Sequence, residues 1–274
     1  MKKIIIAFDG ASYSPGAFEL GMRLNELEPV LLTGVFLPQL DLPDLAEFSY
    51  ANMGAGYVPM LEAYSREAVE KTVDQFENDC IRNGIEYRVH RESLDFSMAA
   101  LQKETRYADL LILGNESFYA NLGTDKPNDY LLETLHNAEC PVLITPEKFR
   151  FPESIVLTFD GSEDSVYAIK QFAALLPHLC SLKTILLYGT DSKNPQLPDA
   201  DYIKELSARH FPDLTIEVLE ADPARYFDTW IHDIKDPLLV CGAYGRSRLS
   251  LYFSKSFVAD VIRDHAIPIF ITHR

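Results

Sequence analysis

The chain has 274 residues, of which 47% are hydrophobic and 24% are charged. This composition is typical of a globular protein, and the length suits two domains that each bury a core. The formal net charge of −16 at pH 7 excludes nucleic acid and anionic membrane surfaces as partners, because a strongly acidic surface repels both.

The N-terminal stretch MKKIIIAFDG predicts a first β-strand over residues 3–8. Its apolar run is too short for a secretory signal, and no run in the chain approaches the length of a membrane span. The four cysteines are far apart without a CxxC pair, and Cys140 and Cys241 stand in or beside apolar runs. We therefore expect buried, reduced thiols and a cytoplasmic protein.

The first half of the chain alternates predicted strands and helices. Strand 3–8 is apolar on both faces, as in a parallel sheet covered by helices. Asp9 and Gly10 end it, and Ser14 followed by Pro15 is a favourable helix start. The elements predicted next are helix 17–26, strand 30–36, helix 61–83 capped by Gly84, strand 86–92, helix 96–106, strand 110–113 and, at the end of this half, strand 142–145.

Residues 37–60 form an inserted segment rich in proline, glycine and aromatic residues. Two interpretations stay open for it. It is either a solvent-exposed loop with a few packed aromatic side chains, or a lid or partner contact, since long loops often carry function.

The second half repeats the plan of the first. IIIAFDG, which ends in Asp9 and Gly10, matches IVLTFDG, which ends in Asp160 and Gly161. LLILG matches LLVCG, and CPVLIT matches IPIFIT. The second half is therefore predicted to hold strand 154–159, a helix capped by Ser162, strand 182–188, helix 199–210, strand 214–219, helix 225–234, strand 238–241, helix 257–264 and strand 269–272.

A glycine loop follows strand 238–241. Gly242 and Gly245 leave room for a phosphate beside the backbone, Arg246 and Lys255 bring positive charge into an acidic chain, and Ser256 is a favourable helix N-cap. A helix N-terminus binds anions through its unpaired N–H groups and its dipole. The alternative is a purely structural loop, in which Gly242 ends the strand, Gly245 turns the chain and Ser256 is an ordinary cap.

The corresponding loop of the first half differs. Asn115, Glu116 and Ser117 follow its strand where a second glycine is needed, and the Glu116 carboxylate would repel a phosphate. We therefore predict that the first half has lost the phosphate loop. None of the seven histidines shows metal-binding spacing, so we assign no metal ligand and no catalytic residue.

The loop of the second half resembles the universal stress protein family. Nucleotide-binding members carry Gly, two residues, Gly, nine residues, then Gly and Ser or Thr. Here Gly242, Gly245 and Ser256 fit, and Lys255 replaces the third glycine. This lysine either crowds the site or places its ammonium group on a phosphate.

The resemblance covers the whole chain and implies two tandem α/β domains, 1–146 and 152–274, joined by a proline-bounded linker. Each would be a flavodoxin-like or Rossmann-like open five-stranded parallel sheet flanked by helices, as in adenine nucleotide alpha hydrolase-like folds. The last strands, 142–145 and 269–272, would pair to make an internal pseudo-dimer, and a homodimer is a further option.

The resemblance also implies an adenine nucleotide such as ATP, with Mg²⁺, bound by Asp160 and the glycine loop of the second domain. Asp160 ends a strand at the edge where open α/β sheets bind ligands. The alternative for this residue is that Asp-Gly simply terminates a strand. The implied function is nucleotide binding read by an unknown protein partner in a stress or signalling response. The alternative is a nucleotide-free interaction module, and an enzyme with more than slow ATP hydrolysis is not expected.

Overall fold

The computed structural model describes residues 1–9, 12–37, 57–91, 97–119, 127–189, 196–219, 223–242 and 255–272. The chain divides into two compact units, which we call unit 1 (Met1–Cys140) and unit 2 (Pro141–Arg274). The predicted domain limits, 1–146 and 152–274, concern pieces that fold independently, and they stay a prediction.

Unit 1 is a parallel sheet with helices in the connections between its strands. Its elements are β1 (Lys2–Phe8), α1 (Pro15–Leu27), β2 (Val30–Phe36), α2 (Tyr57–Arg82), β3 (Glu86–Arg91), α3 (Ser97–Arg106), β4 (Leu110–Gly114) and α4 (Asp129–Asn137). The order of the strands in the sheet is β3-β2-β1-β4.

Local sequence signals explain several element boundaries in unit 1. The Ser14 hydroxyl accepts a hydrogen bond from Ala17 N–H at 3.2 Å, and Pro15 opens α1, as predicted. Gly84 adopts φ +63° after α2, the left-handed conformation expected of a helix-ending glycine.

The start of α2 differs from the prediction, which left residues 37–60 outside any helix. The helix begins at Tyr57 instead of residue 61. Pro59 does not prevent this, because a proline in the first helical turn has no N–H that an intrahelical bond would need. Residues 38–56 of the inserted segment lie outside the described residues.

Unit 2 repeats the plan of unit 1 and has two further strands, one at its start and one at its end. Its elements are β5 (Val142–Thr145), β6 (Ser154–Phe159), α5 (Glu163–Leu175), a 3₁₀ turn (Pro177–Ser181), β7 (Lys183–Gly189), α6 (Ala200–His210), β8 (Leu214–Leu219), α7 (Pro223–His232), β9 (Pro237–Cys241), α8 (Lys255–Asp264) and β10 (Ile269–Ile271). The order of these strands in the sheet is β5-β10-β9-β6-β7-β8.

Strand β5 pairs with β10 in the antiparallel sense, with Leu143 opposite Phe270. The other recorded strand pairs of unit 2 are parallel. The predicted α/β class, a mostly parallel sheet flanked by helices, is confirmed. When the strands are numbered from β1 in unit 1 and from β6 in unit 2, both units have the order 3-2-1-4. This is the order of a Rossmann-like fold, and a flavodoxin-like fold, the other one predicted, has the order 2-1-3-4-5.

All four cysteines carry free thiols. Cys80, Cys180 and Cys241 are buried, whereas Cys140 is partly exposed, which corrects the expectation that it is fully buried. Burial raises the pKa of the Cys80 and Cys241 thiols to about 12 and that of Cys180 to about 11. At neutral pH these groups are therefore protonated and poorly nucleophilic.

We expect the folded protein to react slowly with Ellman's reagent at pH 8. Desolvation raises the pKa of the Cys140 thiol as well, to about 12, but this side chain is the partly exposed one and reacts first. The same protein in guanidinium chloride titrates four thiols rapidly. Rapid reaction of two or more thiols in the folded protein would contradict the described burial.

Among the helices in the described residues, none combines the length and the apolar character needed to cross a membrane.

Candidate functional site

The order of the strands reverses between β6 and β9 in unit 2. These two strands are parallel neighbours, with Leu157 opposite Val240. Asp160 directly follows β6, and Gly242 directly follows β9. The two predicted site residues therefore lie at the carboxyl ends of adjacent strands, at the position where open α/β sheets bind ligands.

Asp160 is partly exposed at this edge. Its carboxylate oxygen Oδ1 accepts a hydrogen bond from Ser162 N–H at 2.9 Å, which fixes the turn after β6. The same carboxylate contributes to the raised pKa of Cys241, although burial is the main cause and a hydrogen bond with Thr158 opposes the shift. Asp160 is therefore close enough to the end of β9 for its charge to act on Cys241.

The N-terminus of α5, next to this edge, is capped by its own sequence. Ser162 Oγ accepts from Ser165 N–H at 3.1 Å, and Glu163 and Asp164 occupy the first helical turn. These contacts confirm the predicted cap. Because side-chain oxygen and negative charge already satisfy this helix end, it is a poor anion site.

Gly242 has a packing reason to be glycine. A Cβ atom at this position would lie 2.2 Å from Asp164 O and 2.5 Å from Ser165 N, both backbone atoms of α5. The first turn of α5 therefore rests directly on the backbone of Gly242. Gly242, which suggested a phosphate site, is therefore also required for the contact between α5 and the end of β9.

The loop itself is only partly described. Gly245 and Arg246 lie outside the described residues, and α8 begins at Lys255. Ser256 is therefore the second residue of the helix and not its N-cap, which corrects the prediction. Serine is tolerated in the first turn of a helix because the N–H groups there have no intrahelical partner.

The corresponding edge of unit 1 is built differently. Asp9, the counterpart of Asp160, is 7% exposed. Its Oδ1 accepts from Ser12 N–H at 2.7 Å, and its Oδ2 accepts from Tyr119 N–H at 3.1 Å. This carboxylate joins the turn after β1 to the turn after β4.

Sequence analysis did not identify two residues at this edge of unit 1. Tyr119 has a fully buried ring, and Asn128 caps α4 through Leu131 N–H at 2.9 Å. Pro127 and Asn128 stand where the phosphate-loop pattern would place its last pair, and an asparagine before an apolar helix is a signal for such a cap. No sequence signal predicted the position of the Tyr119 ring.

The sequence analysis also did not predict one close pair of histidines. His232 ends α7 and His265 follows α8, and their ring centroids are 5.5 Å apart. Among the described residues, no group of three His, Cys, Asp or Glu side chains is arranged to hold a metal ion.

No family model matches the sequence. A curated relative, the universal stress protein Slr1230 of Synechocystis sp., is 26% identical over 166 residues. The match covers 59% of this chain and 56% of the relative, so the aligned part spans little more than half of that protein.

Solved structures share the fold over the whole chain. A universal stress protein from Archaeoglobus fulgidus DSM 4304 superposes with a TM-score of 0.70 at 12% identity, covering 99% of this chain and 98% of that one. A candidate universal stress protein from Pseudomonas aeruginosa UCBPP-PA14 gives a TM-score of 0.52 at 14% identity, covering 100% and 93%. The sequence match and the shared fold together confirm the resemblance of this chain to the universal stress protein family.

Proposed function

We propose that unit 2 binds an adenine nucleotide such as ATP at the edge formed by β6 and β9, and that a protein partner reads the bound state in a stress or signalling response. The observation that carries this proposal is the placement of Asp160 and Gly242 at the ends of adjacent parallel strands where the strand order reverses. In open α/β sheets this is the usual place of a nucleotide.

The phosphates are assigned to the loop between Gly242 and α8. The helix that begins at Lys255 offers N–H groups without intrahelical partners and the positive end of a dipole, whereas the end of α5 is capped by its own residues. Gly245, Arg246, Lys255 and Ser256 complete the proposed set. Asp160 supplies a carboxylate oxygen to a phosphate-bound Mg²⁺, which prefers such ligands.

A second candidate function is an interaction module that binds no nucleotide. One specific observation favours it: a lysine stands at the first residue of α8, where the family pattern has glycine. For either function we propose a reducing compartment such as the cytoplasm, because the four thiols are free.

The repeat supplies a matched pair of variants, Asp160→Asn and Asp9→Asn. We expect Asp160→Asn to weaken binding of Mg²⁺-ATP by about tenfold or more, because the variant loses one charged contact. Asp9→Asn leaves the affinity unchanged and lowers the free energy of unfolding by about 1–3 kcal/mol, because the two N–H groups donate to different carboxylate oxygens and an amide replaces one of these oxygens by an NH₂ donor.

The measurements are calorimetric titration with Mg²⁺-ATP and urea unfolding of the same preparations. An unchanged affinity in Asp160→Asn would contradict the assigned site. An equal loss of affinity in both variants would place the nucleotide elsewhere.

A further inference from the structure

The side chain of Tyr119 crosses the edge of unit 1 that corresponds to the candidate site of unit 2. Tyr119 lies in the turn after β4 and is 2% exposed. Its N–H donates to Asp9 at the end of β1, and its hydroxyl donates to Leu37 O at 2.7 Å, at the end of β2. Because the strand order is β2-β1-β4, the phenol ring reaches from the end of β4 across to the end of β2.

Further contacts hold the ring in this position. Asn128 Nδ2 donates to Phe118 O at 2.7 Å and to Tyr119 O at 3.2 Å, while its Oδ1 caps α4. The rings of Phe118 and Tyr130 lie 4.6 and 4.7 Å from that of Tyr119. These contacts hold the backbone, the ring and the hydroxyl of Tyr119 in place.

The backbone of Tyr119 is also unusual. Its φ of +54° lies in the left-handed region, which bulky residues rarely adopt. Such a conformation persists only where the surrounding contacts hold it. The hydrogen bonds to Asp9 and Asn128 are those contacts.

We propose that Tyr119 is a built-in occupant of the first site. Its phenol fills the place where this fold otherwise receives a ligand, and Asp9 holds the tyrosine in place instead of contacting a ligand. Tyr119 therefore closes this edge of unit 1 to a ligand, and the exchangeable site proposed above is the one in unit 2. The closure of unit 1 does not depend on which ligand unit 2 binds.

Removal of the Tyr119 ring is expected to leave a buried cavity. Tyr119→Ala opens a space of the shape of a phenol, lined by aromatic rings and with the Leu37 carbonyl as acceptor at its far end. Buried apolar cavities of this kind bind small aromatic molecules. The probe is p-cresol, which has the ring and hydroxyl of the missing side chain, and toluene is the probe without the hydroxyl.

The experiment measures the Tm of the full-length wild type, Tyr119→Ala and Tyr107→Ala, with and without each probe. Tyr107 is the matched control, because it is a tyrosine of the same unit that is 66% exposed. We expect Tyr119→Ala to lower the Tm by roughly 10 °C and Tyr107→Ala to change it little. Millimolar p-cresol should raise the Tm of Tyr119→Ala alone by a few degrees, and toluene should raise it less.

Two results would overturn the proposal: a Tm of Tyr119→Ala no lower than that of Tyr107→Ala, or a p-cresol shift that is the same in all three proteins. Tyr119→Phe tests the same site without opening it, since the ring stays. A Tm of Tyr119→Phe that lies a few degrees below that of the wild type and does not respond to p-cresol supports the proposal. A wild-type Tm in Tyr119→Phe would contradict the bond to Leu37.

Discussion

Gly242→Ala is expected to lower the free energy of unfolding of unit 2 by at least about 3 kcal/mol, at the upper end of overpacking substitutions. The new methyl group would meet backbone atoms of α5 at 2.2 to 2.5 Å, and a helix backbone cannot rotate out of the way as a side chain can. To relieve the contact, α5 must move away from β9. The only tryptophan of the chain, Trp230, lies in α7 of unit 2, so its fluorescence during urea unfolding reports this unit.

Gly84→Ala is the matched control for Gly242→Ala, and because Gly84 lies in unit 1, circular dichroism during urea unfolding measures both variants. Gly84 has a φ of +63°, and a Cβ atom there would meet no atom within 4 Å. Its substitution costs only the left-handed conformation, about 1 kcal/mol. If the two variants were equally stable, the close approach of α5 to Gly242 would be wrong.

Phe76→Ala is expected to cost about 3–5 kcal/mol, the range for removal of a buried aromatic side chain. Phe76, in α2, has no exposed surface, and its ring lies about 6 Å from those of Phe8, Phe18, Phe36 and Tyr87. Circular dichroism during urea unfolding measures the loss. Tyr107→Ala, which removes an exposed ring of the same unit, is expected to stay within about 0.5 kcal/mol of wild type.

A double variant tests the same packing more sharply. A Cβ atom at Gly34 of β2 would lie 2.9 Å from the Phe76 ring, so Gly34→Ala is destabilising while that ring is present. In the Phe76→Ala background the added methyl group enters the vacated space, although Phe36 still limits it. The double variant should therefore lose less stability than the two single variants together, and strict additivity would contradict the contact.

Much of the fold follows from local sequence signals. Five successive buried apolar residues in β1, a Ser-Pro helix start and a glycine that ends α2 each specify an element without tertiary information. The repeated IPIFIT and CPVLIT segments also predict the two strands that pair as β5 and β10. Helix ends were less predictable, as Tyr57 and Ser256 show, because the first helical turn accepts many residue types.

The candidate sites depend on contacts that the sequence does not reveal. Gly242 was predicted as a phosphate contact, yet the approach of α5 also requires a glycine there, and that approach is a tertiary feature. The absence of a second glycine after β4 predicted the loss of a loop in unit 1. It did not predict that Tyr119 fills the place, since a tyrosine in a left-handed conformation leaves no pattern in the sequence.

The packing role of Gly242 also decides which variant tests nucleotide binding. Loss of binding in Gly242→Ala would report a displaced α5 as readily as a lost phosphate contact. Gly245→Glu, which adds a carboxylate to the proposed phosphate loop, is the more direct choice and is expected to abolish binding.

The measurement to make first is calorimetric titration of ligand-stripped protein with ATP in the presence of Mg²⁺. We expect one site per chain at about micromolar affinity, equivalent to roughly 8 kcal/mol, and none in Gly245→Glu. No heat, together with no shift in Tm, would contradict nucleotide binding by unit 2 and favour a module that acts through a protein partner. Two sites per chain would contradict the closure of unit 1 by Tyr119.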